Sequence, residues 1–102
     1  MHLMAPKQLQ QAAFQYPDTK IWVQNFCKTI KLATWQNLIE VQEIFSTAES
    51  AGNFTVFNVK GNSYRLILSI DYEAQVAYFK YFLTHAECNK DSWKDDPYYW
   101  SW

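Results

Sequence analysis

Apolar residues recur at helical spacing through the first half of the chain and at alternate positions through the second, which predicts helices followed by a sheet. Leu9, Ala12, Ala13 and Tyr16 share one side of a helix whose first turn suits Pro6, because an N–H is not needed there. Tyr16-Pro17-Asp18 ends it. Asp18 or Thr19 is the expected cap of a second helix, in which Trp22, Val23, Phe26, Cys27 and Ile30 form a broad apolar stripe. So short a link predicts an antiparallel helical hairpin. Ala33 to Gln36 reads as a link, Leu38, Val41, Ile44 and Phe45 as a third, shorter helix, and Ser46 to Asn53 as a loop.

Three extended segments follow. The β-branched and aromatic residues from Phe54 to Val59 favour a strand, and Gly61-Asn62 suits a tight hairpin that needs positive φ angles. Ser63 to Asp71 alternates strictly, with Tyr64, Leu66, Leu68 and Ile70 on one side and Arg65, Ile67, Ser69 and Asp71 on the other. Tyr72 to Gln75 is the expected next turn and Val76 to Leu83 the third strand. A regular ladder pairs Asn58 with Arg65, Arg65 with Phe82, Ile67 with Lys80 and Asp71 with Val76. One face then carries Phe57, Val59, Tyr64, Leu66, Leu68, Ile70, Ala77, Phe79, Tyr81 and Leu83, a core that the helices must cover. The other stays open, with Asn58, Lys60, Arg65, Ile67, Ser69, Tyr78, Lys80 and Phe82.

That second face combines cations with flat rings, the ingredients of single-stranded nucleic-acid binding. Arg65 is the only arginine in the sequence, and its planar fork can hold two phosphate oxygens at once. The plainer reading is a set of solvated charges on the wet side of an antiparallel sheet. His85 follows the third strand, and because the unperturbed imidazole of a histidine changes charge near neutral pH this residue type suits acid or base work; its plainer role is to satisfy a loop carbonyl.

With 102 residues the chain is expected to form one domain, here residues 1–95, followed by an aromatic tail at 96–102 that holds Tyr98, Tyr99, Trp100 and Trp102. The tail is a candidate contact for a partner or a second copy, or packs on its own domain. No apolar run approaches the ~20 residues of a membrane span, and no signal peptide is evident, so the expected location is the cytoplasm. Cys27 and Cys88 read as reduced thiols, with Cys27 on a buried stripe, and no metal or cofactor is expected. The net charge of −1 argues against a strong, non-specific polyelectrolyte binder, so any basic patch is local.

The order of three helices and three strands, with Phe54-Thr55-Val56-Phe57-Asn58-Val59, Gly61-Asn62-Ser63-Tyr64-Arg65-Leu66-Ile67 and Leu83-Thr84-His85-Ala86-Glu87, resembles the HigB-type toxins of the RelE-like superfamily. The resemblance implies an α+β fold in which an N-terminal helical hairpin and a short third helix pack on one face of a small antiparallel sheet. It also implies a toxin that cleaves messenger RNA on the ribosome and is neutralised by a helix-turn-helix antitoxin of the HigA type. In such an enzyme the RNA's own 2′-hydroxyl attacks the adjacent phosphate, without a metal. His85 is then the acid or base, Arg65 stabilises the developing charge, Lys80 and Lys60 hold flanking phosphates, and Glu87 orients His85 or acts as the base. Tyr78 and Phe82 are expected to stack bases beside Asn58. Where the family usually continues with tyrosine and aspartate, this chain has Cys88 and Asn89, and it is slightly acidic where its relatives are basic. These departures keep open the alternative of a weak or inactive relative that serves as an antitoxin- or RNA-binding module.

Overall fold

The computed structural model describes residues 1–4, 6–61, 63–84, 86 and 87. Asn62, His85, Cys88, Asn89 and the aromatic tail, for which expectations are given above, lie outside the described residues.

A short strand, β1 (His2–Met4), precedes helix α1 (Pro6–Gln15), which starts on its proline and stops before Pro17, as the steric conflict between proline and a preceding helical residue requires. A single 3-10 turn, Pro17–Thr19, leads into α2 (Lys20–Leu32). Thr19 occupies the cap position, but its buried hydroxyl donates backward to the Tyr16 carbonyl at 2.7 Å and does not accept from an α2 amide. Asp18 does not cap either: its carboxylate accepts the Tyr64 hydroxyl. Helix α3 (Leu38–Ile44) has a true side-chain cap, with the Glu40 amide donating to Asn37 Oδ1 at 3.1 Å.

Among the described residues the sheet has five strands, two more than the alternation predicts: β2 (Glu49–Ala51), β3 (Phe54–Val59), β4 (Tyr64–Asp71) and β5 (Val76–Thr84) join β1 in the order β1-β5-β4-β3-β2. β1 runs parallel to β5, and the other neighbours are antiparallel. Three-residue strands at the edges are too short to show a period of two, so the sequence does not announce them.

The helices lie on one face. Leu9, Ala13, Val23, Phe26, Ile30 and Val41 bury against Phe57, Val59, Leu66, Leu68 and Ala77. Phe45 sits among Trp22, Phe26, Trp35 and Phe57 with ring centroids 5.4–6.2 Å apart, an aromatic cluster in mostly tilted and edge-on contacts. Trp35, read from the sequence as part of a link, is therefore core, only 4% exposed. Cys27 is half-buried on the α2 stripe, and burial pushes its thiol pKa up, away from reactivity. Among the described residues no helix is long and apolar enough to cross a membrane.

One irregularity decides which side chains share a face. The β3–β4 ladder pairs Asn58 with Arg65 as a regular hairpin requires. Between β4 and β5 the register holds from Asp71–Val76 to Leu68–Phe79, then shifts, so that Ile67 pairs with Tyr81, Leu66 with Phe82 and Arg65 with Leu83. Lys80 is the extra residue of a β-bulge, and every side chain after it changes face. Without the bulge, Lys80 would stand opposite Ile67, which is fully buried; an ammonium group there would be desolvated at large cost.

Candidate functional site

Arg65 lies in the middle of a row formed by Asn58, Arg65 and Leu83 across three adjacent strands. The next row along the same face is Val56, Ile67 and Tyr81, and beyond it Ser69 stands opposite Tyr78. This face is not the wet surface expected from the alternation. Phe54, Val56 and Ile67 are 3% exposed or less, with Ala51, Tyr81 and Leu83 packed against them and the Tyr81 ring edge-on to Phe54 at 6.3 Å. The cations thus stand at the margin of a second, smaller apolar cluster.

The expected site residues are placed as follows. Arg65 is partly buried, and its Nη1 reaches the Tyr64 carbonyl at 3.3 Å. Asn58, directly opposite, is also partly buried. Lys60 is exposed in the β3–β4 turn, where it adopts a left-handed backbone with φ 52° beside Gly61 at φ 66°. For a lysine that conformation is uncommon and is held by the turn, closed by the Ser63 amide on the Lys60 carbonyl at 3.3 Å. Tyr78 is 42% exposed on Arg65's side of the sheet, two rows away. Lys80, in the bulge, is partly buried.

Phe82 does not belong to this face. The bulge turns it toward the helices, where its ring lies 6.0 Å from Tyr16 and 5.8 Å from Tyr64. Tyr81 and Leu83, expected in the helix-side core, take its place beside Arg65. Only the bulge could have revealed this exchange, and a lysine set opposite an isoleucine was the one hint of it.

The segment that leaves β5 begins with a feature whose signature is local in the sequence. The Thr84 amide donates to Glu87 Oε1 at 2.9 Å, and the Glu87 amide donates to Thr84 Oγ1 at 3.2 Å. Threonine followed three positions later by glutamate is the signature of a reciprocal helix cap, and Ala86 and Glu87 are helical. Leu83, just before this segment, is the ladder partner of Arg65, so the sheet brings together positions eighteen residues apart in sequence.

A cleft of about 440 Å³ between α1 and α2, lined by Gln10, Ala13, Phe14, Pro17, Lys20, Val23 and Gln24, lies on the helical layer. It is on the opposite side of the sheet from the Arg65 row and shares none of its residues.

A helical hairpin and a short third helix on one face of a small, mostly antiparallel sheet define an α+β protein with the architecture of the RelE-like toxins. The chain belongs to the HigB toxin family, described as the RelE-like toxic component of a toxin-antitoxin system, whose family model matches residues 12–91. It is 29% identical over 90 residues to the mRNA interferase toxin HigB of Escherichia coli K12, covering 85% of this chain and 86% of that protein. The mRNA interferase HigB proteins of Escherichia coli O157:H7 and Shigella flexneri match to the same extent.

Proposed function

We propose that this protein is an endoribonuclease toxin that cuts messenger RNA on the ribosome in the cytoplasm, without a metal, and is neutralised by a helix-turn-helix antitoxin of the HigA type. Family membership supports the toxin role, and the names of the relatives support the RNA substrate. The observation that carries the site is the pairing of Arg65 with Leu83, which sets the lone guanidinium of the sequence next to the strand end from which the Thr84-His85-Ala86-Glu87 segment departs.

In this reading the 2′-hydroxyl of the substrate attacks the neighbouring phosphorus, the bond to the 5′-oxygen breaks, and a 2′,3′-cyclic phosphate and a 5′-hydroxyl result. His85 moves a proton, as base toward the attacking hydroxyl or as acid toward the leaving oxygen. Arg65 donates to the phosphoryl oxygens as their charge grows, where a fixed donor outperforms water because it needs no reorganisation. Lys60 and Lys80 hold flanking phosphates, Tyr78 offers a ring for stacking, and Asn58 donates or accepts beside Arg65.

The decisive experiment is a cleavage assay on ribosomes programmed with a defined messenger, comparing the parent with Arg65→Ala. The variant is expected to cleave at least ~10²-fold more slowly, the scale set by loss of one donor to a developing oxyanion. Equal rates would remove Arg65 from the mechanism. A second reading, an inactive relative that only binds an antitoxin or RNA, rests on Cys88 and Asn89; folded parent protein that binds the antitoxin but neither cleaves nor arrests growth would select it.

A further inference from the structure

We propose that Thr84 and Glu87 are a pair of positioning residues for RNA cleavage, and that Glu87 acts by holding the chain in place as a reciprocal cap and takes no proton from the substrate. This rests on the endoribonuclease reading above. Two hydrogen bonds run in opposite directions between the same two residues: Thr84 N–H to Glu87 Oε1 at 2.9 Å and Glu87 N–H to Thr84 Oγ1 at 3.2 Å. Each satisfies an amide that the start of a helix would otherwise leave without a partner. The four residues closed by these bonds include, in sequence, His85. Thr84 is also the last residue of β5 and pairs with Tyr64, the neighbour of Arg65. Tyr64 in turn is tied to the helical layer through Asp18. The cap therefore ties the departing segment to the end of the strand whose backbone pairs with Tyr64 and, one position earlier, with Arg65.

A carboxylate whose oxygen already accepts a backbone amide is poorly placed to act as a general base, whereas a glutamine amide oxygen caps as well as a carboxylate does. The two roles separate on that difference. The test compares parent, Glu87→Gln, Glu87→Ala, Thr84→Ser and Thr84→Val in the ribosome-programmed cleavage assay across a pH series, with each fold checked by circular dichroism. Glu87→Gln and Thr84→Ser keep the cap and are expected within about threefold of the parent, while Glu87→Ala and Thr84→Val lose about tenfold in kcat, the scale on which losing a cap changes the population of an ordered helix start. The pH profile of all four keeps the parent's shape, because no titrating catalytic group is removed. If Glu87→Gln is as slow as Glu87→Ala and one limb of the profile disappears, Glu87 is the base and the proposal is overturned. Parent-like rates in all four variants overturn it as well. A parent that does not cleave instead takes down the endoribonuclease reading and this role with it.

Discussion

Tyr64 links the two layers of the molecule through a single hydroxyl, which donates to both carboxylate oxygens of Asp18, at 3.0 and 3.2 Å. Partial burial, and then the hydrogen bond to Asp18, raise its pKa above the ordinary tyrosine value of 10.0. Burial raises Tyr72 in the same direction, against a smaller opposing effect from Thr55. A raised phenol keeps its proton longer in the folded chain than in the unfolded one. Its contribution is therefore intact below about pH 10 and is lost as pH climbs through the folded pKa, because the unfolded chain ionises first. Thermal unfolding between pH 9 and 11 is expected to show a steeper loss of Tm in the parent than in Tyr64→Phe, where only Tyr72 remains of the two. Parallel curves would mean that the Tyr64–Asp18 contact contributes nothing to this dependence. At this scale the sequence was informative about identity and silent about partners: Arg65 stood out as a lone arginine, but nothing local indicated that Asp18 would reach across 46 positions to a tyrosine.

The bulge in β5 is the element on which the arrangement of the site turns. Because Lys80 is the extra residue, Phe79 and Tyr81 already oppose Leu68 and Ile67, two consecutive positions of β4. Removing Lys80 leaves a regular ladder with Phe79 still toward the helices and Tyr81 still beside Ile67. A variant lacking Lys80 is accordingly expected to fold with a Tm within about 8 °C of the parent, the shift that roughly 1 kcal/mol produces in a domain this size. Had the strand been regular through Lys80, the same deletion would swing Tyr81 and Leu83 out of the core and unfold the protein. Calorimetry on this one variant separates the two registers. The strands themselves were legible because the alternation from Tyr64 to Ile70 demands an extended chain, and Asn58–Arg65 and Asp71–Val76 followed from the turns; the half-buried character it also implied did not hold, since Ile67 and Ser69 are buried on the second face. The bulge was not legible, since it answers to a buried isoleucine on the neighbouring strand.

For the molecule as a whole, the sheet has apolar clusters on both faces, a large one under the helices and a small one at Phe54, Val56 and Ile67. Ile67 is 0% exposed, so Ile67→Ala is expected to cost about 2–5 kcal/mol in urea unfolding, the range for a large-to-small change in a packed core. A change within about 0.5 kcal/mol, typical of surface positions, would mean that this face is solvated after all. The sequence by itself determined the three helices, the three long strands and the family to which the chain belongs, because each is written in spacing, turn residues and short motifs that act within a few positions of one another. Tertiary structure alone decided the edge strands β1 and β2, the reversal of faces beyond Lys80, the burial of Trp35 and the apolar character of the Arg65 face. Those outcomes depend on which distant segments meet, and a side chain's cost of burial exists only once its neighbours across the sheet are in place.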